Sequence, residues 1–189
     1  MPQEKSLDFF KGLPNKLTLF RVFAIPILLF LYPLDFENLN VFCAFLFAVA
    51  AWTDFFDGFI ARQFKMESRL GMLLDPIADK LLTTAALVLL AADHTVWSWL
   101  VGLLLCRDLA MSGVRLVARE QGISIPVSWF GKFKTFFLDT AIFCLMMKKQ
   151  LFDWPFREVG MICLWIAALL SFYSAWLYFR DFFSKLVPE

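Results

Sequence analysis

A chain of 189 residues that is 60% hydrophobic, with 24 Phe, 7 Trp and a mean hydropathy of +0.68, has more apolar surface than a soluble domain of its length can bury. Composition therefore excludes a soluble globular domain and implies an integral membrane protein. The formal net charge of +1, from 18 Lys and Arg against 17 Asp and Glu, says little about partners by itself, because it hides where the charges sit.

In chain order, residues 1–16 read as a short interfacial segment. Apolar stretches then cover about 17–32, 39–56, 72–92, 96–109, 136–147 and 159–179, separated by short polar or charged breaks. The spacing predicts an all-α integral membrane fold, a bundle of six transmembrane helices forming one domain over 17–183, with 184–189 as a tail. The first stretch runs through Ile25-Pro26 into further Leu and Phe without a small-residue cleavage pattern, so it is expected to remain in the mature protein. No internal repeat or low-complexity tract interrupts the pattern.

With six spans, the first segment, the 62–69 and 115–134 connections and the tail share one side. They hold most of the Lys and Arg, including Lys11, Lys16, Arg21, Arg62, Arg69, Arg115, Lys132 and Lys134, whereas the other side has only Lys148, Lys149 and Arg157. That bias predicts both termini on the cytoplasmic side, with a bacterial inner membrane as the expected location, and a basic face suited to anionic lipid or a phosphorylated substrate, with no nucleic-acid partner.

Several features carry little chemistry. Cys43, Cys106, Cys144 and Cys163 lack C-x-x-C spacing and fall in or beside apolar runs, which suits packing. His94 is the only histidine and sits in the Asp93-His94-Thr95 turn, which disfavours a histidine triad or a zinc site. "GKFKT", Gly131 to Thr135, lacks the Ser or Thr after Lys132 that a phosphate loop needs, and reads as a basic segment at the membrane surface that can also touch a ligand.

The stretch "TDFFDGFIARQFKMESRLGMLLDPIADK", Thr53 to Lys80, is different. Asp54 and Asp57 are three residues apart and Asp75 and Asp79 four apart, so on helices each pair occupies one face. The short connection between the two helices makes them antiparallel neighbours, and four carboxylates can converge. Insertion scales assign ~2.5 to 3.5 kcal/mol to each Asp at mid-membrane, and mutual repulsion adds to that cost. Pairing with Arg62, Arg69 or Lys80 is one compensation; divalent cations are the more direct one. All-oxygen ligation suits Mg²⁺ or Mn²⁺, as one or two ions. Gly58 and Ala61 leave space beside the carboxylates or serve close helix packing, Gly71 opens the next span, and Arg62 and Ser68 offer donors for a phosphate.

The pattern Asp54-x-x-Asp57-Gly58-x-x-Ala61-Arg62, eight residues, Gly71, three residues, Asp75, three residues, Asp79 resembles the full signature of the CDP-alcohol phosphotransferase family. The resemblance implies a six-helix membrane fold, usually a homodimer, in which the four aspartates hold a two-metal centre, a CDP-linked donor binds nearby and Asp79 serves as base. "PNKLTLFRVFAIP" from Pro14, "LLDPIADKLL" from Leu73, "RDLAMSGVR" from Arg107 and "VSWFGKFKT" from Val127 are similar to the bacterial members that make phosphatidylglycerol phosphate. These imply CDP-diacylglycerol as donor and sn-glycerol 3-phosphate as acceptor. Arg107, Arg115 and Lys132, with Lys134, match the acceptor phosphate pocket, and Asn15 and Thr18 join Gly58, Ala61, Arg62, Ser68 and Gly71 as candidates around the donor. An ion pair with Asp108 is the other reading of Arg107. Two further functions stay open: the same chemistry on another alcohol, as in cardiolipin or phosphatidylinositol phosphate synthesis, and a carboxylate-lined divalent-cation transporter.

Overall fold

The computed structural model describes residues 13–34, 36–64, 69–122, 129–148 and 154–186; within these, the side chains of 13–18, 37, 53–76, 119, 130 and 183–186 lie outside the description. The described residues form six α-helices and no strand: α1 Leu13–Leu31, α2 Glu37–Phe64, α3 Arg69–Ala92, α4 Ser98–Glu120, α5 Trp129–Met146 and α6 Phe156–Leu186, with a 3-10 turn at Tyr32–Leu34 after α1. Each expected apolar stretch corresponds to one helix that covers it to within two residues, and most helices extend past their stretch. α4 continues eleven residues past 109 and α5 begins seven before 136, because a helix does not stop where its residues turn polar. α1 likewise begins at Leu13, inside the expected interfacial segment, with Pro14 in the first turn, where no N–H is needed.

Chain breaks are set by local chemistry. α3 ends at a left-handed residue, His94 (φ 56°), beyond which the Thr95 and Val96 amides donate to the Leu90 carbonyl at 3.1 Å. The Asp93 carboxylate accepts from the Thr95 hydroxyl at 2.6 Å and from Lys148 Nζ at 2.6 Å, and that ammonium also stands 5.0 Å from the Tyr32 ring centroid. The ends of α1, α3 and α5 therefore meet at one level. Gly122 (φ 71°) follows α4 in the conformation that glycine adopts without strain.

The helices alternate in direction. Phe45 near the start of α2 meets Phe143 near the end of α5, edge to face at 5.6 Å, and the start of α6 packs on the end of α5. A Cβ built on Gly160 would lie 2.7 Å from Leu145 Cγ, so the missing side chain is what permits the close approach of α5 and α6, the most extensive helix pair. Leu28, Cys43, Phe47, Leu82, Leu90, Leu100, Ile142, Leu145, Met146 and Leu164 fill one contiguous core.

The outside is as apolar as the inside. Phe30, Leu109, Leu169, Trp129 and Trp176 are each about 70% exposed or more, a surface that only lipid or protein can cover. Among the described residues α6 alone, over Phe156–Phe182, is long and apolar enough to cross a membrane by length and composition; Leu19–Leu34 and Asn38–Trp52 are shorter apolar helical stretches. Charged residues lie within the other apolar helices: Lys80 in α3, the Arg107-Asp108 pair in α4, and Lys132, Lys134 and Asp139 in α5.

Candidate active site

Asp54 and Asp57 lie within about the last three turns of α2, and Asp75 and Asp79 within about the first three of α3. α2 and α3 pack on each other and only four residues separate Phe64 from Arg69, so both pairs belong to the same end of the bundle. Gly58, Ala61 and Arg62 share that part of α2, Gly71 opens α3, and Asn15 and Thr18 lie in the first turns of α1, which packs on both helices. Of these candidates Asp79 alone has a described side chain, half-buried, and its carbonyl accepts from the Thr83 hydroxyl at 3.1 Å; Ser68 lies outside the described residues. Among the described residues no three His, Cys, Asp or Glu side chains gather as a metal group, and three of the four aspartate side chains are outside that set.

Next to this end lies a charged cluster built from four helices. Asp108 Oδ1 on α4 accepts from Arg107 Nη1 at 2.9 Å and from Lys134 Nζ on α5 at 2.5 Å. Arg107 Nη2 donates to Ser174 Oγ on α6 at 2.6 Å. Ser112 Oγ, one turn after Asp108, donates to the Asp108 carbonyl at 2.6 Å and accepts from Lys80 Nζ of α3. Both serines satisfy their own proton on a carbonyl of their own helix, Ser174 on Ser171 at 3.1 Å, and keep lone pairs for a cation from a neighbouring helix. Because Lys80 follows Asp79 directly, its contact with Ser112 sets the aspartate-bearing helix beside the cation cluster.

The acceptor candidates separate into two groups. Arg107 and Lys134 are joined on Asp108, so the ion pair considered for Arg107 forms, with Ser174 as a second partner. Arg115, two turns further along α4, is exposed and sits 5.7 Å from the Tyr178 ring on α6. Lys132 is exposed over the Trp129 ring at 4.8 Å, away from the pair on Asp108. The expected basic surface segment is in fact the first turns of α5, where residues two apart point to different sides: Lys134 turns inward and Lys132 outward.

Several residues enter that sequence reading had not assigned to the site, among them Ser112 at the Lys80 contact. Asp108 and Ser174 organise Arg107; an acid within an apolar run was the available signal for the first, and nothing distinguished Ser174 from other helix serines. Arg21, expected among the surface cations, is wholly buried two turns inside α1. It lies eleven residues before Tyr32, while Asp79 lies fourteen before Asp93, and Lys148 touches both Tyr32 and Asp93. Arg21 therefore lies in the same half of the bundle as Asp79, each about two to four helical turns from the level of Lys148.

Comparison with known proteins shows what the chain is similar to. The model of the family described as CDP-alcohol phosphatidyltransferase matches residues 11–173. Proteins named CDP-diacylglycerol–glycerol-3-phosphate 3-phosphatidyltransferase are similar over most of their length. The one from Pectobacterium atrosepticum is 38% identical over 172 residues, 88% of this chain and 92% of the relative. That from Yersinia enterocolitica is 36% identical over 181 residues, 93% and 97%. That from Bacillus subtilis is 35% identical over 183 residues, 89% and 93%. With a family match running from α1 well into α6, over both aspartate pairs and the cations Lys80, Arg107 and Lys134, the chain belongs to the CDP-alcohol phosphatidyltransferase family.

Proposed function

We infer that this chain transfers a phosphatidyl group from CDP-diacylglycerol to sn-glycerol 3-phosphate, giving phosphatidylglycerol phosphate and CMP. The family is membrane-bound, and relatives at 35% to 38% identity over most of the chain have that activity as their name. The observation that carries the reading in the structure is the Lys80–Ser112 contact, which joins the helix of Asp75 and Asp79 to the helix of Arg107 and Asp108. A centre for a pyrophosphate donor and a pocket for a phosphorylated acceptor then lie side by side. In our reading six spans cross the membrane, with the active end and both termini facing the cytoplasm, and the protein works as a homodimer.

Family members generally use divalent metal ions. The donor set fits: four carboxylates on facing ends of α2 and α3 with no His or Cys, an all-oxygen set suited to Mg²⁺ or Mn²⁺. Asp54, Asp57, Asp75 and Asp79 would hold the ions, which when bound supply charge neutralisation for the donor pyrophosphate.

The protein's own groups do the rest. Acyl chains of the donor stay in the bilayer against the apolar outer surface. Gly58 and Ala61 leave room for the nucleotide, with Asn15, Thr18, Arg62, Ser68 and Gly71 around it. Arg107 and Lys134, with Arg115 further out, hold the acceptor phosphate by charge-assisted hydrogen bonds. Asp79 takes the proton of the acceptor 1-hydroxyl, whose oxygen attacks the phosphorus bearing diacylglycerol; the bond to the CMP phosphate oxygen breaks and CMP leaves. CMP release from CDP-diacylglycerol on addition of sn-glycerol 3-phosphate tests this reading. A cation transporter would want acids at successive depths, whereas both aspartate pairs belong to one end of the bundle.

A further inference from the structure

Asp108 stands where an anionic ligand of Arg107 and Lys134 would stand. One of its oxygens, Oδ1, takes both cations, at 2.9 and 2.5 Å. The two cationic side chains are only 9% and 12% exposed, whereas the carboxylate is 33% exposed. The acid therefore lies at the mouth of the cluster with the cations behind it. Arg107 also donates through its other terminal nitrogen, Nη2, to Ser174, so it keeps one partner when the carboxylate moves aside.

We propose that Asp108 is a specificity-determining residue of the acceptor pocket: its carboxylate competes internally for Arg107 and Lys134, so that a doubly charged phosphate monoester displaces it and a singly charged phosphodiester does not. The proposal rests on the functional reading above and deepens it. A tethered carboxylate is present at high effective concentration and gives up no translational freedom on binding. A diester brings one charge, the same as the acid it would replace, and gains nothing by the exchange. A monoester brings about 1.5 to 2 negative charges and three acceptor oxygens, enough to engage both cations at once. The setting makes such a filter useful. Phosphodiester headgroups crowd any bilayer surface, and bare buried cations at the membrane boundary would fill with them.

The test uses the purified full-length protein in nonionic detergent with CDP-diacylglycerol, reading initial CMP release. The acceptors are sn-glycerol 3-phosphate and its methyl phosphodiester, which keeps both hydroxyls and loses one charge. Wild-type protein should strongly prefer the monoester. Asp108→Asn should narrow the monoester-to-diester ratio of kcat/KM by about tenfold or more, by raising use of the diester while the monoester KM stays level or falls. Asp108→Glu should keep the wild-type ratio. An unchanged ratio in Asp108→Asn, or equal loss on both acceptors, overturns the proposal and makes Asp108 a structural brace. A measurement on wild type alone serves if the Asn variant does not fold: the methyl diester should fail to inhibit monoester turnover, and competitive inhibition near the monoester KM overturns the proposal. Wild-type protein that releases no CMP with glycerol 3-phosphate defeats the functional reading and this proposal together. Wild-type release with an unaltered ratio defeats the proposal alone.

Discussion

The Arg107 guanidinium donates to Ser174 Oγ at 2.6 Å, across from α4 to α6, through Nη2, while its Nη1 donates to Asp108, so two partners hold this largely enclosed arginine of the proposed acceptor cluster. Ser174→Ala should leave Arg107 in place on Asp108 but free to tilt. The acceptor KM should rise about threefold to tenfold, the effect of weakening a hydrogen bond to a charged group, with the donor KM nearly unchanged. Steady-state kinetics with each substrate varied in turn checks this; a shift of both KM values together would mean that Ser174 supports folding rather than Arg107.

Lys134 and Lys132 should behave differently although only Phe133 separates them. Lys134→Ala removes a buried cation from Asp108 and should raise the acceptor KM about tenfold or more. Lys132→Ala removes an exposed ammonium stacked on Trp129 and should change it by about twofold or less. Arg115→Ala, exposed beside Tyr178, should fall between the two. Equal effects at 132 and 134 would contradict the division seen in α5.

This division also marks what the sequence made legible. Six helices and the shared end of the two aspartate pairs follow from apolar runs, short connections and the i, i+3 and i, i+4 spacing of Asp54, Asp57, Asp75 and Asp79. The acceptor candidates were legible by type but not by direction, because which of Lys132 and Lys134 turns inward depends on the rotation of α5 against α4, a tertiary property. Arg21 read as one more cation on the basic side, yet α1 buries it completely, since helix rotation and not charge decides which residues face α2 and α3. Ser174 had no signal, as a hydroxyl inside an apolar helix ordinarily bonds only its own backbone.

Gly160 tests the packing that holds the bundle. A Cβ there would meet Leu145 Cγ at 2.7 Å, so Gly160→Ala should push α6 from α5 and lower stability by ~1 to 3 kcal/mol. Gly102→Ala, in α4 with nothing within 4 Å of the new Cβ, should be neutral or mildly stabilising. Thermal unfolding of both variants in the same detergent compares them directly, and a Gly160 variant as stable as the Gly102 variant would count against the close α5–α6 contact.

The proposed function divides the aspartates by role. Asp79→Asn keeps the shape of the side chain but cannot accept the acceptor proton, so it should lose turnover by about a hundredfold or more while retaining donor binding better than Asp57→Asn. Binding of CDP-diacylglycerol, measured apart from turnover, separates the two; equal loss of donor binding would make Asp79 chiefly a ligand. Chelation should abolish activity in the wild type, and Mg²⁺ or Mn²⁺ should restore it.

The most direct measurement is CMP release by the purified protein, supplied with CDP-diacylglycerol and Mg²⁺ and offered one alcohol at a time. Sn-glycerol 3-phosphate should support release, with phosphatidylglycerol phosphate formed in equal amount, while glycerol, inositol 1-phosphate and phosphatidylglycerol should support little. Release that is as fast with glycerol or phosphatidylglycerol as with glycerol 3-phosphate, or release that is undiminished in excess EDTA, would contradict the account.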